Sequence, residues 1–224
     1  MTAIGFYLWS GVSVFMLLVI LRNANQFVKA TGLYLGFVLA WLVYIFLLVK
    51  SGVLLDFGMP PKVPLLIIIP MIIGMIYTTR LASFKPLLVK TSKYIPVYLQ
   101  SFRIVVELLI FSAFVDGTFP QRVTFEGLNY DILVGISALP MGFLAQKGRV
   151  KGKGILVWNI ISLSILSLTG FSFIYSFYSG DFATTDQGVE FVSFPYVLLP
   201  AVMLQVAIFL HIFSIRQTLL KEAA

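Results

Sequence analysis

The chain has no cysteine among its 224 residues and a single histidine. The first absence excludes disulfides, thiol nucleophiles and thiolate metal sites, and leaves the redox compartment undecided. The second excludes a paired-histidine zinc motif such as HExxH. Charge is scarce too: 11% of residues are charged and 59% are apolar, against about 25% and about 45–50% in an average soluble domain. No single soluble core of this length buries that excess, so a bilayer is the natural solvent. A net charge of +7 would suggest nucleic acid if it gathered in one soluble patch. Here the basic residues lie in short loops between apolar runs, which argues for membrane orientation and against a nucleic-acid partner. There is no P-loop, no GxSxG elbow and no GxGD partner for Tyr130-Asp131. No lysine lies inside an apolar run, which excludes a retinal Schiff base. No cofactor and no metal is implied.

What remains is a series of long apolar runs. A spanning helix needs about 20 largely apolar residues, and seven runs qualify: 4–21, 31–49, 63–81, 95–115, 129–146, 155–178 and 194–217. The expectation is an all-α polytopic integral membrane protein, one bundle of seven transmembrane helices over residues 1–224. The first run has no basic residue before it and no small-residue cleavage site after it, so it is expected to stay as the first helix. Lys and Arg in the connections set orientation. Placing the odd connections and the C-terminus inside puts twelve basic residues there and leaves Lys50, Lys62 and Arg122 outside, with Arg103 in a span. The N-terminus is therefore expected outside and the C-terminus inside, in a cell inner (plasma) membrane. The sixth connection carries only acids: Asp181, Asp186 and Glu190. Tyr7, Trp9, Tyr175, Tyr178 and Tyr196 fall near the outer interface, and Tyr77 and Trp158 near the inner one, where aromatic anchors are common.

The inner linker 83–94 alternates Lys85, Lys90 and Lys93 with Leu87, Leu88 and Val89. It suits a cytoplasmic lipid surface, with each lysine contributing about 1 kcal/mol near anionic lipid. A plain positive-inside loop is the simpler reading. The third and seventh runs both begin with two prolines and end in arginine. That resembles the three-plus-one-plus-three plan of small sugar and PQ-loop carriers, but Pro120-Gln121 falls in a loop, and proline near a helix start is common.

Arg103 and Glu107 are one turn apart on the fourth run, and Gln100 extends the same face. Counted from the inner end, they lie about 12 Å and about 18 Å deep. On an insertion scale two such charges cost about 5–7 kcal/mol, and the surrounding Val, Ile, Leu and Phe return about 4–7 kcal/mol. The helix breaks even alone, so its charged face belongs in the bundle interior. Ionisable groups at this depth are functional candidates; a mutual Arg103–Glu107 salt bridge is the structural alternative. His211 and Gln205 on the seventh run and Asn159 on the sixth reach similar depths. They form a cluster with Arg103 and Glu107 if helices four, six and seven face one another. His211 then suits proton relay, or a bond to a neighbouring carbonyl. In the fourth connection Glu126, Asn129 and Asp131 form an outer polar cluster. Oxygen ligands suit a hard cation, but the EF-hand pattern is absent, and a cap on the fifth helix by Asn129 or Asp131 is the simpler role.

The stretch QSFRIVVELLIF…TFEGLNYDILVG, followed by FPYVLLP and FLH, resembles a family of small uncharacterised bacterial inner-membrane proteins. The likeness is sharpest over residues 100–135. Arg103, Glu107, Phe125, Glu126, Gly127, Asn129, Asp131 and His211 sit on the pattern. The resemblance implies a many-helix membrane fold and no activity. From the residues, the first expectation is a small-solute or ion transporter with its polar site on helix four. The alternative is a non-catalytic scaffold, assembly or sensor component with the acidic outer loops as docking surface. A lipid-acting enzyme comes third.

Overall fold

The structure, a computed structural model, describes residues 1–24, 27–178 and 186–222. Its elements are α1 (Thr2–Met16), α2 (Leu18–Asn23), α3 (Phe27–Lys50), α4 (Ile69–Arg80), α5 (Lys85–Lys90), α6 (Tyr94–Leu99), α7 (Arg103–Val115), α8 (Asp131–Gln146), α9 (Gly152–Tyr178), α10 (Asp186–Phe191) and α11 (Leu204–Glu222). Pro64–Ile68 and Leu199–Met203, which lead into α4 and α11, are wider π-helical turns. The described chain holds no strand. Five helices are long and apolar enough to cross a membrane: Thr2–Asn23, Ala30–Lys50, Tyr94–Val115, Gly152–Tyr178 and Leu199–Leu220.

The other two apolar runs depart from simple spans. Pro64–Arg80 and Ala82–Lys90 meet at a bend of 76°, because Leu81 leaves helical geometry at ψ 142. Past the bend, Leu88 packs into the bundle while Lys85 and Lys90 stay exposed. The fifth run forms α8, of 16 residues. That is about 24 Å of helix, short of a bilayer's hydrocarbon core of about 30 Å.

The bundle is built on α11. Of the most apolar window of Leu199–Leu220, 72% is buried, against 6% for Ala30–Lys50. α9 packs antiparallel on α11, as the contact of Asn159 with Ser214 records. α1 runs antiparallel to α7: Thr2 meets Ser112, and the Trp9 indole donates to the Phe102 carbonyl at 3.2 Å. An aromatic knot of Phe6, Phe119, Phe173, Phe177, Phe191 and Tyr196 closes one end. Trp9, Trp158, Tyr178 and Tyr196 thus pack within the bundle rather than standing as interface anchors; Tyr7, Tyr77 and Tyr175 are exposed.

α8 lies along the N-terminal half of the α6–α7 helix. Tyr98 reaches Gln146, and a Cβ on Gly135 would meet the Ile104 amide nitrogen at 2.9 Å. Glycine lets the two backbones touch there. Since the first turn of α8 lies beside Arg103 and Glu107, the connection 116–130 has to fold back from the C-terminal end of α7 toward its middle. Its Phe119, Val123, Thr124 and Asn129 are buried accordingly. Gly127 makes the fold possible, because a Cβ would sit 2.7 Å from the Arg122 Cα.

Peripheral α3 is held by hydrogen bonds to main-chain carbonyls. Tyr34 donates to Val14, Trp41 to Ala201 at 2.8 Å and Tyr44 to Leu66 at 2.9 Å. The last two fall on the proline segments. Pro70 has no amide to offer Leu66 one turn back, and Ala201 lies inside the second wide turn. At the connection after α3, Asp56 accepts from the Gly58 amide at 2.9 Å and from Lys62 at 3.1 Å. Those contacts, the Gly58 bond first, hold its carboxyl below the usual range.

Candidate functional site

Arg103 opens α7 just after the tight turn Gln100–Phe102, and it is among the largest fully buried side chains. Each of its three nitrogens has a partner. Nε donates to Asp131 Oδ2 at 2.9 Å, and Nη2 donates to Asp131 Oδ1, a side-on bidentate pair. Nη1 points at His211 Nε2, 3.1 Å away. A guanidinium only donates, so Nε2 accepts and the ring proton lies on Nδ1. Nδ1 then donates to Asn159 Oδ1 at 2.8 Å. Asn159 spends its amide on the Ile155 carbonyl and the Ser214 hydroxyl. The chain Asp131–Arg103–His211–Asn159–Ser214 therefore ties α7, α8, α9 and α11 together with a neutral imidazole in the middle. The Trp158 ring lies 5.8 Å from that imidazole.

Glu107, one turn on, does not bond to Arg103. Its carboxylate accepts from Asn129 Nδ2 at 2.6 Å. Asn129 also donates to the Val123 carbonyl and accepts from the Thr169 hydroxyl and the Asp131 amide. All four of its hydrogen-bonding contacts are made while its side chain is fully buried. Asn129, not Asp131, gives α8 its capping bond.

Beside these groups is a cavity of about 70 Å³ whose open surface is almost wholly apolar. Arg103, Glu107, Asp131, Thr169 and Tyr178 are among the residues that border it. The rest is apolar, drawn from both wide turns (Pro64, Ile68, Leu199, Met203) and from α7 and α9. Tyr178 accepts the Val63 amide at 3.0 Å, which fixes the first wide turn to α9.

Of the residues expected to cluster on helices four, six and seven, Arg103, His211 and Asn159 are joined, and Glu107 and Gln205 are not; three expectations are corrected. The Arg103–Glu107 bridge does not form: Arg103 is taken by Asp131, 28 residues away, and Glu107 by Asn129. The outer polar cluster is split, because the connection folds inward. Asn129 and Asp131 are buried, and Glu126 stays exposed. Asp131 is therefore a second buried acid beside Glu107. Gln205 turns back to the Pro200 carbonyl at 3.0 Å, and Gln100 donates to the Ala207 carbonyl at 3.0 Å; neither joins the chain of contacts. Thr169, Ser214, Trp41 and Tyr44 were missed. The paired prolines of the third and seventh runs were the available signal for the last two. Among the described residues no group of three or more His, Asp or Glu could hold a metal ion. Asp181 lies outside the described residues. The chain matches no protein-family model, no curated protein and no solved structure.

Proposed function

We propose that the chain is a carrier-like protein of a bacterial inner membrane. It crosses the bilayer seven times, with the N-terminus outside and the C-terminus inside, and binds a small solute at mid-depth. One observation carries this reading: a cavity that borders Glu107 is lined by two proline-led segments of wide helical turn. Carriers commonly place substrate near the midplane, where helices in two corresponding halves are interrupted. Pro64–Ile68 and Leu199–Met203 touch. Both lead into helices that carry an arginine far from the turn, Arg80 at the end of α4 and Arg216 within α11. α8, shorter than a full span, and the inward-folded connection put irregular backbone at that depth, which is tolerated where it is buried in protein or lines a cavity.

The absence of native cysteine supplies the test. Gly170 lines the cavity, and a Cβ there meets nothing within 4 Å, so Gly170→Cys adds a thiol without displacing anything. Leu108, exposed on the bundle surface, is the lipid-facing control. Labelling of Gly170→Cys but not Leu108→Cys by a small membrane-impermeant thiol reagent is the expected result. A folded protein labelled at neither position would have a dry interior, and the scaffold or sensor reading would replace transport.

A further inference from the structure

Resting on the carrier reading, we infer that the solute is an organic monocation, a protonated amine with a small apolar body, which the cavity takes up in exchange for a proton on Glu107.

Charge balance makes the argument. Arg103 and Asp131 cancel in a bidentate pair. His211, facing them from α11, is neutral by its contacts, since it accepts from Arg103 and donates to Asn159. From the inward-folded connection and α9, the polar neighbours are Asn129, Thr169 and Tyr178, none of which carries charge at neutral pH. Pro64–Ile68 and Leu199–Met203 contribute no ionisable group. No other Lys, Arg, Asp or Glu lines the cavity. One negative charge is therefore left over, on Glu107.

Only one neutral donor, Asn129, serves the Glu107 carboxyl among the described residues, and its side chain is buried in a largely apolar wall. A bare carboxylate there lacks the pairing that buried charges require. One positive charge completes the site: a proton when it is empty, an ammonium when it is filled. The Pro64, Ile68, Phe173, Leu199 and Met203 side chains suit an apolar body and give a second polar head nothing to bond.

The exchange balances. An ammonium from bulk water pairs with the carboxylate, the carboxyl proton goes to bulk, and no covalent bond of the amine changes. If the amine enters neutral, it leaves its own proton in bulk and takes the one on Glu107, with the same net release. A neutral alcohol of the same shape releases none. An anion finds only Arg103, whose charge Asp131 already balances.

The experiment uses full-length protein in lipid nanodiscs at neutral pH. The probes are ethylamine and its neutral isostere ethanol, small enough for a cavity of about 70 Å³, with calorimetry for affinity and a weakly buffered indicator for protons. The amine is expected to bind about tenfold or more tighter than the alcohol and to release one proton per site. Glu107→Gln keeps an oxygen for Asn129, so the fold is retained; it is expected to lose the preference and the release while still binding the alcohol. Gly170→Leu, which fills the cavity, is expected to lose both probes. Equal binding of the probes to wild type and Glu107→Gln overturns the cationic substrate and leaves the carrier reading standing. Amine preference without proton release overturns the exchange. No binding of either probe by wild type, with Gly170→Cys unlabelled, overturns the carrier reading along with this one.

Discussion

The Arg103–Asp131 pair is the most demanding contact in the molecule, because both partners are buried. Leaving one buried charge without its partner costs about 3–5 kcal/mol, whereas exchanging both for apolar residues is often neutral or better. Asp131→Asn is therefore expected to lower thermal stability in detergent sharply, and Arg103→Met to do the same. Arg103→Met with Asp131→Leu should lose less than the sum of the single changes, a non-additivity that a double-mutant cycle measures. Glu107→Gln, which keeps its bond to Asn129, is expected to stay within about 1 kcal/mol of wild type. An equal loss in Glu107→Gln and Asp131→Asn would assign the structural burden differently. Sequence spacing made Arg103, Glu107 and His211 legible as interior groups, because a charge in an apolar run has few places to go. It could not supply the pairing. Helical periodicity sees partners three or four residues away, and Asp131 arrives through a connection that folds inward. A sign of that fold was present: Phe119, Val123, Phe125 and Leu128 are more apolar side chains than a solvated loop needs.

Among the elements, α8 and the two wide turns separate what pattern reveals from what packing decides. All seven apolar runs became helix, but their lengths were less legible, since hydropathy alone does not report depth. The 129–146 run looks like a short span; only the contacts of α8 with the N-terminal half of α6–α7 show where it begins. Gly135 is the point on which that placement turns. Gly135→Leu drives a side chain into the Ile104 backbone, where overpacking costs about 1–3 kcal/mol. Gly74→Leu meets open space and serves as the control. Thermal unfolding of the two variants in detergent should separate them clearly, and matching melting temperatures would mean that α8 does not lie against α7. The prolines of the third and seventh runs were visible as a pair. That aromatic donors on α3 would serve both segments was not, because side chain to main-chain bonds across helices leave no periodic trace. Trp41→Phe keeps the ring and removes the bond to Ala201. The expected cost is about 1 kcal/mol, with faster labelling of Gly170→Cys as the second wide turn loosens.

For the whole molecule, composition and the spacing of basic residues speak most directly, since bilayer insertion responds to apolar length and to Lys and Arg rather than to packing detail. The two ends of the bundle differ as the proposed orientation requires. Residues near 23, 80–93 and 147–153 gather at one end, as the bonds from the Ser92 amide to Asn23, from Gln217 to the Leu88 and Thr91 carbonyls and from Tyr98 to Gln146 record. That end carries Arg22, Arg80, Lys85, Lys90, Lys93, Lys147, Arg149, Lys151 and Lys153. The other end holds Lys50 and Lys62 with Asp56, and Arg122 stacked 4.8 Å from the Tyr175 ring. Single cysteines at exposed Glu126 and exposed Lys151 test the assignment in intact cells and in inverted vesicles. An impermeant reagent is expected to reach Glu126→Cys only from outside and Lys151→Cys only from inside. Reaction of both from the same side would require an even number of crossings between them. α8 would then fail to complete a crossing together with the connection before it, and the count would fall to six. The same pair of cysteines thus decides whether a helix shorter than a full span, continued by an inward fold, carries the chain across the membrane.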